Sequence, residues 1–221
     1  LLRVYLEGAM AGGAMTVAPG FSAVIPMTTP YADASYAGTS VEHTGTEWLY
    51  DPPADLVDWV VVSARTGTDA ATEVARRSAL LRGDGSIVDI DGGPLMMPTA
   101  GLDSLYVVVD HRNHMAVMTP GRIDVSSGSA TWDFTTSMSQ AFAGGGIPMK
   151  DLGGGRFGLF ACDVNVDGSS TALDFVTWLA STTAGETGYI QSDCNLDGNV
   201  TALDFVLWVA NTTAGAASQV P

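Results

Sequence analysis

The sequence predicts a mainly β protein that ends in a small helical module, and two observations support this. Short runs rich in Val, Tyr and Trp, bounded by Gly, Pro and Asp, recur through the first part of the chain. Strands at a spacing of about 8–12 residues are typical of an antiparallel β-sandwich. In the remainder, a loop rich in Asp and Asn is followed by an apolar stretch, and this unit occurs twice. We expect an immunoglobulin-like β-sandwich over residues 1–155 and a helical module with two paired loops over residues 156–221.

The first element is the run LLRVYLEG, in which Leu2, Val4 and Leu6 alternate along the chain. This period of two predicts a β-strand. The strand either closes its own sheet or completes the sheet of a neighbouring subunit. The second alternative, on which we base an expectation of assembly, predicts that a chain lacking residues 1–7 still folds.

The central strands are predicted by apolar runs such as VDWVVVSARTG and SLYVVVDHRNHMAVMTPG. The segment RGDGS lies between two further strand-like runs and predicts a hairpin turn. Arg82, Gly83 and Asp84 also form an integrin-type tripeptide, but a hairpin tip explains these residues better.

The repeated unit reads DVNVDGSSTALDFVTWLA over 163–180 and DCNLDGNVTALDFVLWVA over 193–210. Oxygen-bearing side chains occupy loop positions 1, 3, 5, 7, 9 and 12, and Gly168 and Gly198 occupy position 6, where the chain must turn sharply. This is the spacing of a calcium loop, in which position 7 normally binds through its carbonyl. The predicted ligands of two Ca²⁺ ions are Asp163, Asn165, Asp167, Ser169, Thr171 and Asp174, and Asp193, Asn195, Asp197, Asn199, Thr201 and Asp204.

Each loop leads into a predicted amphipathic helix. Aliphatic residues recur at spacings of three and four, and aromatic residues fill a neighbouring stripe. The aliphatic stripes are Leu173, Val176, Leu179 and Ala180, and Leu203, Val206 and Val209; the aromatic ones are Phe175 and Trp178, and Phe205 and Trp208. We expect the aliphatic faces of the two helices to pack against each other around a pseudo-twofold axis, with the aromatic rings in a shared core.

The pattern D-x-N-x-D-G-x-x-T-A-L-D before an apolar helix, present twice over residues 161–215, resembles the dockerin type I repeat of secreted bacterial proteins. The resemblance implies two calcium ions and an extracellular location. In cellulosomal dockerins, polar residues at positions 10 and 11 help to select a cohesin partner. This chain has Ala172-Leu173 and Ala202-Leu203 there, and no Lys or Arg after Arg156. We therefore expect no binding to cellulosomal cohesins.

A longer stretch, from ARRSALLRGDGSIVDIDG to GGGRFGLFACDVNVDG, is similar to a β-rich region near the C-terminal ends of large secreted surface proteins of Bacteroidota and related bacteria. That resemblance implies a location outside the cell or on its surface. The chain begins without Met and without a signal peptide, which is the pattern expected of a mature, processed product.

Two cysteines and one sequon suggest covalent modification. Cys162 and Cys194 either pair, which an extracellular location permits, or remain as two buried thiols. Asn211-Thr-Thr lies after the second helix and is a candidate for glycosylation. Asn199-Val-Thr matches the same pattern, but its place in a metal loop argues against modification.

The composition limits the classes of partner. Hydrophobic residues make up 46% of the chain and charged residues 15%, Lys150 is the one lysine, and the net charge is −15. Such a chain repels nucleic acid and anionic membranes and attracts cations. The sequence contains no apolar run of about 18 residues, so we expect no membrane span.

We expect no enzymatic activity. His111 and His114 form an H-x-x-H pattern, but on one strand this spacing sends the two rings to opposite faces. His43 is the one other histidine of the sequence. The sequence contains no motif of a catalytic nucleophile, of a nucleotide site or of a dinucleotide site. Asp89 and Asp91 are either a glycosidase pair or solvated strand ends.

Three functions remain open. We expect a structural subunit of an extracellular fibre or surface layer, stabilised by calcium and joined to itself or to another surface protein. The second is an adapter that docks onto a cohesin-like receptor. The third is a carbohydrate-binding or adhesive module, for which Trp48, Trp59 and Trp132 are available, although each serves equally well as core.

Overall fold

A computed structural model describes residues 1–26, 28–31, 54–99 and 101–221 of the chain. His43 and Trp48 lie outside the described residues. Within them, the protein is mainly β, as predicted, and two long helices lie close together near the C-terminal end.

The strands are short at the N-terminal end and longest in the middle of the chain, and the two long helices follow near the C-terminal end. The strands are β1 (Leu2–Arg3), β2 (Met10–Ala11), β3 (Ala14–Met15), β4 (Leu56–Arg65), β5 (Glu73–Arg82), β6 (Ser86–Val88), β7 (Ser104–His111), β8 (His114–Met118), β9 (Ile123–Asp124), β10 (Trp132–Asp133), β11 (Lys150–Gly153) and β12 (Arg156–Gly158). The helices are α1 (Pro19–Ser22), α2 (Ala172–Ala184) and α3 (Ala202–Ala214).

One sheet dominates the β region, with the strand order β10-β1-β6-β5-β4-β7-β8 and with β9 paired to β7. Its neighbours are antiparallel except for the parallel pair of β1 and β10. The Val-rich strand β4 is buried along its whole length, so the sheet is covered on both faces there. The described strands form this sheet and two ribbons, β2–β3 and β11–β12. This pairing confirms a β-rich, mainly antiparallel fold, and the immunoglobulin-like sandwich stays a prediction.

The N-terminal strand belongs to its own sheet. β1 lies between β6 and β10, and the Val4 N–H donates to the Gly85 carbonyl over 3.0 Å. Val4 and Leu6 are fully buried. In this structure the strand therefore completes the sheet of its own chain and not that of a neighbouring subunit. A chain without residues 1–7 should unfold, because it loses β1, which joins β10 to β6, and two core side chains.

The hairpin predicted by RGDGS is present between β5 and β6. Gly85 has a φ of +84°, and a Cβ there would lie 2.8 Å from the Val4 carbonyl oxygen, so glycine is needed on both counts. The Arg82 guanidinium pairs with Asp55 over 3.0 Å, and the Asp84 carboxylate accepts from the Ser86 N–H over 2.8 Å. Both charged groups of the tripeptide are engaged within the chain.

The two long helices begin and end in the same way. Thr171 and Thr201 cap their N-termini in capping boxes with the carboxylates of Asp174 and Asp204. Each helix ends at a glycine with a φ of +66°. The two repeats therefore fold as near copies of one another, as their sequences predict.

The helices pack through their aromatic stripes. Phe175 lies 5.1 Å from Trp208, and Trp178 lies 5.1 Å from Phe205, measured between ring centroids. The Trp178 indole N–H donates to the Thr201 carbonyl, and the Trp208 indole donates to the Thr171 carbonyl. Each helix thus donates to the N-cap of the other, which is the arrangement of an approximate twofold axis.

The aliphatic stripes do not form this contact, and the prediction that they do is wrong. Their six large side chains remain between 40% and 63% exposed: Leu173, Val176 and Leu179 on α2, and Leu203, Val206 and Val209 on α3. Each helix has two apolar stripes, and only one can face the partner helix. The aromatic stripe does so because Phe and Trp bury more area per residue. None of the helices in the described part of the chain has the length and apolar character needed to cross a bilayer.

Candidate metal centre

Each repeated loop is closed by its last carboxylate. Asp174, at position 12, accepts from the N–H groups of Val164 (2.8 Å) and Asn165 (3.2 Å) through one oxygen. Its other oxygen accepts from the Thr171 N–H over 2.7 Å. Asp204 makes the same contacts in the second loop. The residue at position 12 therefore joins the beginning of the loop to the first turn of the helix.

The carboxylate at position 1 holds the sharp turn in the middle of each loop. Asp163 accepts from the N–H groups of Asp167 and Gly168, both over 3.0 Å. Asp193 accepts from Asp197 over 3.1 Å and from Gly198 over 2.8 Å. The φ values of +82° at Gly168 and +85° at Gly198 are those that glycine adopts freely. The prediction of a sharp turn at position 6 is confirmed.

The remaining predicted ligands line the same loops. The Asn165 amide donates to Asp167 over 2.8 Å, and the Asp167 carboxylate also accepts from the Ser169 N–H over 3.0 Å. The Thr171 hydroxyl caps α2 by accepting from the Leu173 N–H. The second loop places Asn195, Asp197, Asn199 and Thr201 in the same way.

Burial makes these loops unfavourable for unneutralised carboxylates. It raises the pKa of Asp163 and of Asp193 to about 6, and main-chain hydrogen bonds oppose the shift in both. The neighbouring charges of Asp174 and Asp167 raise the pKa of Asp163 further. Burial also raises the pKa of Asp204. Each loop concentrates negative charge where water solvates it poorly, which is a setting that a bound cation relieves.

Backbone strain recurs at one position of both loops. Val166 has a φ of 59° and Leu196 a φ of 57°, and both are at position 4. Among the described residues, Cys162 is the one other non-glycine residue with a positive φ. Branched residues seldom adopt this conformation, and such strain concentrates at functional sites.

The donor chemistry fits a hard cation such as Ca²⁺, which takes six to eight oxygen ligands. Each loop supplies carboxylate, amide, hydroxyl and main-chain oxygens and no sulfur or imidazole. As the side chains lie, no group of three or more His, Cys, Asp or Glu among the described residues is placed to hold a metal ion. The carboxylates at positions 1 and 12 instead accept from main-chain N–H groups of their own loop.

Cys162 and Cys194 form a disulfide, with their Cα atoms 5.3 Å apart. The sequence left open whether they pair. Cys162 precedes the first loop and Cys194 is position 2 of the second, so the bond joins the two loops at their beginnings.

A buried polar cluster that the sequence patterns do not predict lies beside the loops. The rings of His111 and His114 lie 4.8 Å apart, because residues 112 and 113 form a turn between β7 and β8 that makes the two histidines cross-strand partners. The prediction that they lie on opposite faces is wrong for that reason. His111 pairs with Asp58 over 3.1 Å, and all three side chains are buried.

Burial lowers the pKa of both imidazoles, and in His114 the lowering is large. Both rings are therefore neutral near pH 7. The polar segment DHRNH between two apolar runs is the signal from which this cluster could have been found.

Three other candidates from the sequence have structural explanations. Asp89 is buried in an ion pair with Arg77 (2.7 Å), whereas Asp91 accepts from the Gly93 N–H in a surface turn, so the two acids do not face one site. Trp59 is a buried core residue. The Trp132 indole donates to the Gln140 carbonyl, and its ring packs against the core.

Asn211 is fully buried, and the prediction that it carries a glycan is wrong for the folded protein. Its amide nitrogen donates to Glu7 over 2.6 Å and to the Ala161 carbonyl over 2.9 Å. Its amide oxygen accepts from Lys150 over 2.8 Å. A glycan on that nitrogen would displace these contacts between α3 and the β region.

Comparisons with protein-family models, curated proteins and solved structures find no match to this chain.

Proposed function

We propose that this protein is an extracellular building block that binds two calcium ions and joins to a second copy of itself through an exposed apolar surface on α2 and α3. The two repeats form a module of the dockerin type, and the β region is the body that the module connects. The single observation that carries the proposal is that aliphatic side chains are exposed at equivalent positions of both helices.

This apolar face consists of the six aliphatic side chains of α2 and α3 named above. Exposed Ala180 and Ala210 extend it, and no charged side chain of either helix is exposed, because Asp174 and Asp204 are buried. Large apolar side chains that stay exposed at repeated helix positions mark interaction sites when they form one patch. Fully burying one Val or Leu side chain contributes about 1.5–3 kcal/mol, so covering six half-exposed ones supports an association.

The approximate twofold relation between the helices favours a second copy of this chain as the partner. A face that repeats itself about an axis can meet an identical face with the same contacts made twice. The helices expose no charged side chain, so a contact between two copies at this surface brings no like charges directly together.

In this proposal, calcium holds each loop, and with it the first turn of each helix, in place. The ligands are the twelve residues predicted above, with the carbonyls of Ser169 and Asn199 supplying position 7. The cation offsets the repulsion among the three carboxylates of each loop. Because Asp174 and Asp204 belong to both a loop and a helix, occupancy of the loops fixes the relative placement of the two stripes in the apolar face.

An adapter that docks onto a separate receptor is a second candidate, and one observation favours it. Positions 10 and 11, where the dockerin resemblance places partner recognition, are exposed in both repeats. They are Ala172-Leu173 and Ala202-Leu203, so a receptor matched to them would be apolar. We expect no capture by cellulosomal cohesins, and calcium-dependent capture in a pull-down would favour the adapter function instead.

Sedimentation of the purified protein at high concentration, with calcium and with a chelator, tests the proposal. We expect oligomers in calcium and monomers in chelator. The double variant L173Q/L203Q should be monomeric in both, whereas Met96→Gln, which changes an equally exposed apolar residue elsewhere (64% exposed), should behave as the wild type. A wild-type protein that stays monomeric in calcium contradicts self-association.

A further inference from the structure

We infer that Asn113, at the turn between β7 and β8, is a positioning residue that holds the first residues of both calcium loops in place and so couples the loops to the β-sheet. This inference deepens the proposed calcium function and rests on it for its physiological meaning. The structural coupling itself can be measured in calcium-free protein.

Asn113 contacts position 1 of both loops. Its carbonyl accepts from the Asp163 N–H over 3.1 Å, and its side-chain amide donates to the Asp193 carbonyl over 2.7 Å. The same amide donates to the Gln191 carbonyl over 3.0 Å. Asn113 is fully buried, so none of these bonds is exchanged readily for bonds to water.

The turn that contains Asn113 is held in place by His114 of β8. The Asn113 side-chain oxygen is 2.8 Å from Nδ1 of His114, whose Nε2 accepts from the Gly8 N–H over 3.1 Å. Because Nε2 is an acceptor, the His114 proton is on Nδ1, where it faces the Asn113 side-chain oxygen and, at 3.1 Å, Nδ1 of His111. This fixes which end of the Asn113 amide faces the loops: its nitrogen.

Arg112, the other residue of the turn, holds the segment that leads into the second loop. Its guanidinium bonds Asp58 over 3.1 Å, donates to the Ile190 carbonyl over 2.6 Å and stacks on the Tyr189 ring at 4.3 Å. The Tyr189 hydroxyl donates to Asp58 over 2.7 Å. The chain from residue 189 to residue 193 is therefore fastened to β4 and to the turn before the loop begins.

These contacts have one consequence for both loops. The carboxylates of Asp163 and Asp193 organise the middle of each loop, and their main chains are fixed by the same asparagine. A displacement of one loop start moves the turn that holds the other. Loop order, and with it calcium affinity, should therefore be shared between the repeats and transmitted to β7 and β8.

The variant Asn113→Asp tests the hydrogen bonds that the Asn113 side-chain amide donates. The replacement has the same shape and keeps an oxygen towards His114, but it cannot donate to Asp193 and Gln191. Asn113→Ala removes the side chain without adding a buried charge and serves as the second variant. Thr119→Val is the matched control: Thr119 is fully buried on the same hairpin and accepts from the Val107 N–H over 3.1 Å, away from the loops.

The first measurement is amide hydrogen exchange in chelator. We expect the loop amides of Asp197 and Gly198 to exchange at least tenfold faster in both Asn113 variants than in Thr119→Val, and those of Asp167 and Gly168 to accelerate in the same direction. Equal exchange in the Asn113 and Thr119 variants would overturn the inference, whether or not the wild type binds calcium.

The second measurement adds calcium to each protein. In the wild type and in Thr119→Val, we expect calcium to slow exchange at β7 and β8; in Asn113→Ala it should slow exchange in the loops alone. If calcium protects the hairpin equally in all variants, the coupling does not run through Asn113. If the wild type binds no calcium, the proposed function fails, and the first measurement still decides the role of Asn113.

Discussion

The two repeats have nearly the same sequence but different surroundings. At position 4, Val166 of the first loop is 55% exposed, whereas Leu196 of the second is fully buried in the main core. Gly168 approaches little besides Ser218, whereas Gly198 lies against the backbone of Phe21. The first loop is peripheral, and the second is built into the protein.

The N-terminal segment accounts for this difference. It packs so closely on the second loop that a Cβ on Gly8 would lie 1.8 Å from the Cys194 carbonyl oxygen. The first loop is covered instead by the C-terminal residues, where the Ser218 N–H donates to the Gly168 carbonyl over 2.7 Å. A repeated motif therefore determines its own local structure, while the rest of the chain determines how far each copy is preorganised.

Removal of the disulfide should have the largest effect on this comparison. Cys162 and Cys194 close a loop with a sequence separation of 32 residues, which the chain-entropy account equates with about 4 kcal/mol. We expect the C162A/C194A variant to lose this much stability in urea denaturation. The first repeat should loosen more than the second, because contacts with residues 8 and 21 still hold the second.

Hydrogen exchange of the two loops in that variant tests the distribution of the loss. Equal loosening of both loops would show that the N-terminal segment does not support the second. A reducing agent added to the variant should change nothing further.

Truncation at position 4 should affect the two repeats differently. Leu196→Ala removes a fully buried side chain and should cost at least about 2 kcal/mol. Val166→Ala removes an exposed one and should change stability by less than about 0.5 kcal/mol. Chemical denaturation of the two variants provides the comparison, and similar costs would mean that the second loop is not packed as described.

Lowering the pH should stabilise the calcium-free loops, whereas it usually destabilises a protein whose carboxylates are paired. The pKa of Asp163 and of Asp193 is raised from the ordinary value of 3.8 to about 6, so the folded state binds more protons than the unfolded state between those values. Their favourable contribution is present below about pH 4 and is lost as pH rises through 6. In chelator, these two residues should therefore make the protein less stable at pH 7 than at pH 5.

The D163N/D193N variant separates this effect from the buried histidines, whose lowered pKa values destabilise the protein as pH falls below about 6.5. In thermal unfolding in chelator, the variant should gain stability relative to the wild type at pH 7 and gain less at pH 5. In excess calcium, the wild type should instead be the more stable of the two proteins. A pH-independent difference between the two proteins would contradict the account.

A further difference between the repeats concerns backbone strain at position 4. Val166 has a positive φ and an exposed side chain, so Val166→Gly removes strain with little loss of burial and should stabilise the protein by about 1 kcal/mol. Leu196→Gly relieves the same strain but loses a buried side chain and should be destabilising. Denaturation midpoints that shift in the same direction for both variants would show that surroundings do not distinguish the repeats.

The turns and helix caps of both repeats could be predicted from the sequence. Which of the two apolar stripes of each helix faces the other helix could not. Gly168 and Gly198 mark the turns, because few other residues adopt their φ, and Thr171 and Thr201 are recognisable N-caps. The helices, however, carry two apolar stripes, and periodicity does not say that the aromatic one faces inward. Whether the twelve loop residues bind metal stays a prediction.

Long-range contacts account for the other errors. The burial of Asn211 depends on Glu7, which lies 204 residues away, and a sequon carries no information about that contact. The turn between His111 and His114 lacks the Gly that usually signals a two-residue hairpin loop, so the sequence predicts one continuous strand where the structure has two. The main β strands were predictable because their Val-rich runs bury both faces.

Calorimetric titration with calcium tests the central claim most directly. We expect the wild type to bind two ions and the variants Asp167→Ala and Asp197→Ala to bind one each. In Asp167→Ala the remaining site is the preorganised second loop, so its ion should bind more tightly than the ion that remains in Asp197→Ala. Absence of binding at about millimolar calcium, the weak limit for extracellular calcium loops, would contradict the account.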